Sequence, residues 1–569
     1  MFSRFWAAVE WLFGPGPTGA NGHLKARWLF LRALGLIYFS AFYSLLFQIR
    51  GLIGPSGILP AREYLETVSR YMGAERFWFA PTLFWIRSSD VALMAVCWAG
   101  LIASIAVVLN LWPRGMLFVC FVAFLSFVAG AQDFAGYQSD GMLLEAGFIA
   151  LLFAPDGFRP GIGADQPPSR TSLFLLQWEW FRIYFESGVA KIASGDLEWR
   201  HLTAMDEYYQ NGPLPTWIGW YMEHLPHRFH VATAGATLLL ELVIVWMLFL
   251  PRQFRIICFW IVTPWEIAVI LTANYTFLNY LVLALGILLL DDGYLERWRL
   301  RLLRCFGGKS SREPALLERT SVTAASDTIP VPHEAQKELA GVSILFASHV
   351  EPSTGPGVES LWRNKAQFVR LLISSFLLTW IFYATTVQLI GMVLPNFPLP
   401  EAPVRALDPF RIANQYGLFA VMTLGRYEIE FQGSNDGGQT WTAYPYRYKP
   451  QATNQRPRIY APYQPRLDWN LWFASLGNWR DSPLVVLTGE RLLANSRQVV
   501  SLFAGNPFGG QPPRRIRAVV WQYWFTDLAT KRATGEWWRR KLLGLYAPVL
   551  ERQPDGRIAV VSLPPAPAL

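Results

Sequence analysis

Nine apolar runs constrain this chain more than any other feature; they lie at about residues 28–48, 90–110, 115–132, 141–154, 171–192, 231–250, 254–273, 275–291 and 368–394. A helix that crosses the hydrocarbon of a bilayer needs roughly 20 mostly apolar residues. Its backbone polar groups must also be satisfied within the protein, because lipid offers them no partner. Runs of this kind, separated by punctuation such as "NLWPRG" and "LPRQFR", predict an α-helical multi-pass membrane bundle of about nine spans. The 141–154 run is short and carries Glu145, so it is the least regular. Composition agrees, with 52% hydrophobic and only 16% charged residues, against about 25% charged in soluble domains.

The basic residues then set an orientation. With Arg4, Lys25 and Arg27 in the cytoplasm, the loops carrying Arg114, Arg159 with Arg170, and Arg252 with Arg255 also fall inside. So do "ERWRLRLLRCFGGKSSR" and the residues Arg363, Lys365 and Arg370 before the last run. Cytoplasmic loops collect Lys and Arg, so the net charge of +9 needs no nucleic-acid partner. An odd number of spans puts the C-terminus outside. No cleavable signal peptide is expected, since no small-residue cleavage site follows the first run. Cys97, Cys120, Cys258 and Cys305 show no spacing for a disulfide framework or a zinc site.

Four regions follow. Residues 1–300 read as a polytopic bundle, 301–365 as a disordered cytoplasmic linker rich in Ser, Thr, Pro and Glu, 366–395 as the last transmembrane helix, and 396–569 as a β-rich extracytoplasmic domain. In that last region "RYEIEFQGSNDGGQTWTAYPYRYKP" alternates polar and apolar residues around a turn that needs positive φ. "IRAVVWQYWFT" reads as a further strand, whereas "LDWNLWFASLG" and "GERLLANSRQVVSLFAG" read as helices. A sandwich of the galactose-binding type is one arrangement that fits.

One apolar run is conspicuously charged. Residues 171–192 carry Glu179, Arg182, Glu186 and Lys191. The first three fall at i, i+3 and i+7, on one helical face. Each charge left facing lipid would cost about 2.5–3.5 kcal/mol, so the stripe must face protein or water. Lys191 lies on another face and is placed to snorkel outward or to pair with Glu145, Glu241 or Glu266. Two readings stand: a polar cavity lined by Glu145, Glu179, Arg182, Glu186, Lys191, Glu241 and Glu266, or a static ion-pair network that fixes helix register. In the first, a desolvated Lys191 would serve as a catalytic base with Glu186 beside it.

Other polar groups admit a plainer account. His224, His227 and His230 in "MEHLPHRFHV" are spaced by three, but Pro226 interrupts any helix, and no metal site is assigned. "GPSGILPAREYLE" reads as a Gly/Pro turn followed by a helix from Pro60. A client-docking surface in the tail would use Arg466, Asp468, Trp469, Asn506, Trp537 and Trp538. A hydrogen-bonded corner inside the domain would use the same residue types. There is no Walker loop, dinucleotide fingerprint or hydrolase triad signature, so no cofactor is expected.

Several long segments resemble the lipase maturation factor family: "LRALGLIYFSAFYSLLFQIRGLIGPSGILPA", "SGVAKIASGDLEWRHLTAMDEYYQNGPLPTWIGWYMEHLP", "RPRIYAPYQPRLDWNLWFASLG", "LFAGNPF" and "EWWRRKLLGLYAP". The resemblance covers nearly the whole chain except the linker. It implies a chaperone-like membrane factor for the maturation of secreted proteins, lipases by resemblance, with membrane lipid and a secreted client as partners. Vertebrate members are endoplasmic-reticulum proteins. Separately, "FESGVAKIASGDLEW" is similar to a transmembrane segment of vitamin K-dependent γ-glutamyl carboxylase, in which a Gly-Val-x-Lys pattern carries the base; Lys191 matches that lysine. This likeness implies the alternative of a membrane enzyme acting on a lipid or quinone-like substrate. The one glycosylation acceptor, Asn274 in "NYT", lies against the bilayer, and the tail has none. That favours a bacterial inner membrane with a periplasmic C-terminus, or the endoplasmic reticulum if the source is eukaryotic.

Overall fold

Every one of the nine apolar runs folds as helix. The computed structural model describes residues 2–306 and 358–565. The principal helices are α1 (Leu24–Leu46), α2 (Asp90–Val108), α3 (Pro113–Gly130), α4 (Gln138–Phe153) and α5 (Arg170–Ala193). Two short helices, α6 (Ala204–Asn211) and α7 (Trp217–Glu223), precede α8 (His227–Leu242), α9 (Arg252–Thr272) and α10 (Leu278–Gly286). Then come α11 (Asp292–Phe306) and α12 (Val358–Val393). Local signals explain the starts: Ser89 and Ser169 accept hydrogen bonds from the third residue onward at the heads of α2 and α5, and Pro113 opens α3. Consecutive helices α1 to α5 pack as neighbours, and α10 closes against α1 and α5.

Six helical segments are long and apolar enough to cross a membrane, or seven if the pair 278–289 and 292–304, bent by 102°, counts as one crossing. The count of nine therefore exceeds what length and apolarity support. The shortfall has a physical cause. Helix α4 has 16 residues, about 24 Å at 1.5 Å per residue, short of the ~30 Å hydrocarbon layer. Helix α5 is long enough but charged. Both are enclosed by other helices, so neither has to be apolar all round.

The C-terminal strands are β1 (Arg426–Ser434), β2 (Thr442–Ala443), β3 (Arg515–Phe525), β4 (Trp538–Leu545), β5 (Val549–Arg552) and β6 (Ile558–Ser562). They form one antiparallel sheet in the order β2-β1-β3-β5-β6, with β4 also paired to β3. Helices α13 (Arg466–Ser475) and α14 (Pro483–Leu493) pack against it. Among the described residues there is no second facing sheet, so the sandwich expectation is corrected to a helix-backed sheet. The helices at 466–475 and 483–493 bury the apolar face that a second sheet would otherwise cover. The turn in "NDGG" has Gly437 and Gly438 at φ +76° and +95°, and Asp436 closes it by accepting from the backbone of Gln439 and Thr440, both at 2.9 Å.

The helix from Pro60 forms as Ala61–Met72. The linker expected at 301–365 lies outside the described residues except at its two ends, which are helical. The described residues of 2–295 and 376–565 form one compact unit, and those of 296–375 a second.

Candidate functional site

The charged face of α5 meets an irregular stretch of chain from the start of the C-terminal region. After α12 the backbone returns along the bundle, and residues 411–423 thread against α4 and α5. Arg182 pairs with Glu145 and lies 3.7 Å from Glu186. Its Nη1 donates to the Asn414 carbonyl at 2.6 Å, and its guanidinium lies over the Tyr416 ring. Glu145 Oε2 accepts from the Asn414 backbone at 2.9 Å and the Tyr416 hydroxyl at 2.9 Å. Glu186 Oε2 accepts from the Tyr416 backbone at 2.7 Å. Gly141 makes room for this: a Cβ there would sit 2.8 Å from the Asn414 side-chain oxygen. Glu179 is fully buried beside Glu145 and Arg182, and neither of its oxygens makes a well-formed hydrogen bond. The cluster is a latch: it satisfies buried charges with the backbone of a returning segment.

Lys191 belongs to a different arrangement. Its ammonium donates to Glu241 Oε1 at 2.8 Å and to the Leu418 carbonyl at 2.9 Å, and lies over the Trp199 ring. Gly188 allows the approach of α8, since a Cβ there would sit 2.9 Å from the Glu241 Cβ. Glu266, on α9 just past Pro264, accepts from the Tyr184 hydroxyl at 2.5 Å. These groups line a cavity of about 380 Å³ bounded by α5, α6, α8, α9 and α10. Its lining includes Lys191, Glu241 and Glu266 but not Glu145, Glu179, Arg182 or Glu186. The single polar cavity expected for all seven is thus two separate arrangements. Lys191 and Glu186 face different partners, five residues apart along α5: Glu186 holds the Tyr416 amide, and two donor directions of Lys191 go to Glu241 and Leu418.

The docking residues expected in the tail are corrected as well. Arg466, Asp468, Trp469 and Trp538 are buried, and Trp537 and Asn506 are half-buried. Arg466 forms a bidentate pair with Asp140 of α4, both contacts at 2.8 Å, and donates to the Phe134 carbonyl at 2.5 Å. It ties the sheet domain to the bundle. Trp538 packs on Tyr523 and Phe525, and its indole donates to the Gln455 carbonyl at 3.0 Å. Trp537 packs on Trp220 of α7. Asn506 bonds Asn495 and the Phe508 amide. Side chains engaged inside the fold cannot also form a free docking surface.

Asp468 carries a testable consequence. Burial pushes its carboxyl up to about 7, against the attraction of Lys449. An unfolded Asp titrates near 4, so the folded chain binds this proton more tightly. The associated stability is full below about pH 4 and is lost as pH rises toward 7, by up to ~1.4 kcal/mol per unit. The thermal midpoint of the full chain in detergent should fall between pH 5 and 7.5, and Asp468→Asn should flatten that fall. Parallel profiles for the two proteins would remove Asp468 as the cause.

The histidines have partners of their own, and His227 and His230 share Asp206. His224 contacts the carbonyls of Trp220 and Thr526, His227 contacts Asp206, and His230 contacts the Met205 carbonyl. Asn274 is buried: it donates to the Leu214 and Arg458 carbonyls at 3.0 and 2.8 Å and accepts from the amides of Tyr460 and Ala461. It pins the segment before α13 to the bundle. Ser40 and Ser44 of α1 and Gln48 just past its end perform the same task, holding Pro462, Gln464 and Arg466. Sequence reasoning missed them, although their i, i+4, i+8 spacing in an apolar helix was a readable polar stripe. Asp140, Asn414 and Tyr416 gave no such signal.

Comparison with known proteins gives the same two-part division. Residues 25–297 match the lipase maturation factor transmembrane domain, and 412–548 match the lipase maturation factor C-terminal domain. Lipase maturation factor 2 of Gallus gallus is 32% identical, over 92% of this chain and 81% of its own. The Homo sapiens protein of the same name is 30% identical over 93% and 83%, and Lipase maturation factor 1 of Bos taurus is 29% identical over 94% and 93%. No solved structure matches. With membrane-length helices over the first match and an antiparallel sheet over the second, this chain is a multi-pass integral membrane protein of the lipase maturation factor family.

Proposed function

We propose that this chain is a membrane-anchored maturation factor that holds a secreted client, a lipase, while that client folds and assembles. The observation that supports it most is likeness over more than nine-tenths of the chain to proteins named for lipase maturation. The fold adds a means. The sheet domain is fixed to the bundle through residues 411–423 and 458–466, so a bound client would be held at a set height above the membrane. In this reading α4 and α5 also cross the membrane, giving nine crossings with the sheet domain on the outer side. The bundle is 1–300 with 366–395, and the compartment is a periplasm or an endoplasmic-reticulum lumen.

The client surface has to be sought where apolar groups are exposed. Strand β4 presents Leu542 and Leu543 beside Arg539, Arg540 and Lys541, and no further strand pairs with its outer edge among the described residues, where only the Trp538 amide is taken, by Thr453. Strand β6 presents Val560 and Val561. An extended client segment adds to such an edge through main-chain hydrogen bonds. The test is co-expression with a secreted lipase, with a photo-crosslinking residue at Leu542 or Val560. Lipase specific activity should fall at least about tenfold without the chain, and crosslinked lipase should be recovered from both positions. Undiminished lipase activity in cells lacking the chain would overturn the reading.

A further inference from the structure

The cavity between α5, α8, α9 and α10 has no role in the reading above. At about 380 Å³ it is within the range of small-molecule sites. Its walls are mostly apolar, with Ile183, Met205, Trp265, Val269, Leu278 and Val282 among them. Two of its bounding helices are among the three candidate spans least enclosed by protein: 33% of the most apolar window of 227–249 is buried, and 17% of that of 252–272. In a bilayer those helices would face acyl chains, which makes lipid the nearest source of an apolar ligand.

The polar groups in the lining select the head of that ligand. Lys191 is already engaged by Glu241 and Leu418. Glu266 has no basic partner among the described residues, only the Tyr184 hydroxyl. Glu241 Oε2 and Asn279 Oδ1 are buried without a hydrogen bond, and Asn279 is 5% exposed. Buried acceptors left unmade are costly and rare in native proteins. These two acceptors are lining groups that a ligand donor would satisfy. Two carboxylates disfavour a phosphate or a fatty-acid carboxylate by like-charge repulsion, and an amine-bearing phospholipid brings its phosphate with it. A hydroxylated, uncharged head satisfies the acceptors without repulsion.

We propose that this cavity binds a single-chain neutral lipid of the monoacylglycerol class, its chain along Val269 and Val282 and its hydroxyls donating to Glu241, Glu266 and Asn279. This does not depend on the client reading. The experiment uses the purified full chain in nanodiscs with a monoacylglycerol whose acyl chain carries a photoreactive diazirine. Label should map by mass spectrometry to cavity-lining residues of α8, α9 and α10. Unlabelled monoacylglycerol should compete at a concentration at least about tenfold lower than lysophosphatidic acid, a fatty acid or an alkane of equal length. Thr237→Trp, which fills the space, should cut labelling at least tenfold, and Asn279→Leu should erase the preference for monoacylglycerol over alkane. If either variant fails to fold, the competition series on the unaltered chain decides alone. Label falling outside the lining, or equal competition by lysophosphatidic acid or alkane, overturns the proposal.

Discussion

Arg182→Met is expected to lower the stability of the chain by about 3–5 kcal/mol, the range for removing one partner of a buried ion pair. The Arg182 and Glu186 side chains have no exposed surface and Glu145 has 1%. Without the guanidinium, the buried carboxyl groups of Glu145, Glu179 and Glu186 are left with no cation among them, and the Asn414 carbonyl loses its donor. Since whole-domain stability is only about 5–15 kcal/mol, the variant should lose much of its steady-state abundance as well as its thermal midpoint. The cause is separable from mere loss of packing. Adding Glu145→Gln, Glu179→Gln and Glu186→Gln removes the orphaned charges and should recover most of the loss, as neutral replacements of buried pairs commonly do. Intrinsic tryptophan fluorescence on heating in detergent reads both. A midpoint unchanged in Arg182→Met would mean that these charges are hydrated rather than latched.

Arg466→Met should cost a similar ~3–5 kcal/mol by the same reasoning, but its effect should appear at the junction between sheet domain and bundle. Arg466 bridges α13 to Asp140 and Phe134 with three hydrogen bonds. The expected sign is rapid proteolysis in the segment after α12, releasing the sheet domain while the bundle stays intact. Arg466→Lys keeps the charge but cannot form the bidentate pair, so its cleavage rate should lie between the two. Asp140→Leu combined with Arg466→Met should restore much of the protection, and the non-additivity of the two changes measures the pair. Equal proteolysis of Arg466→Met and the unaltered chain would show that the domain is held elsewhere.

The two clusters differ in how far they could be read in advance. Glu179, Arg182 and Glu186 were recognisable because they sit at helical spacing in an otherwise apolar run, where an unpaired charge is intolerable. Lys191 was visibly on another face, and Glu241 was among its named partners. Asn414 and Tyr416 were illegible because the residues that complete the network come from more than 200 positions away in an irregular segment, where no periodicity marks them. The tail misled for the opposite reason. Trp, Tyr and Arg are the residues of docking surfaces, and the same residues fill and bridge a buried interface. Composition does not distinguish the two.

What the sequence determined was the set of helices, the strands around "NDGG" and in "IRAVVWQYWFT", and the need for α5 to hide its charges. Each follows from local periodicity and from the penalty lipid places on polar groups. Only the tertiary structure decided that α4 and α5 are enclosed rather than lipid-facing, that one sheet is backed by helices, and that the charged face divides into a latch and a cavity. Those outcomes depend on which distant backbone arrives to satisfy each buried group, and pairings of that kind leave no period in the chain.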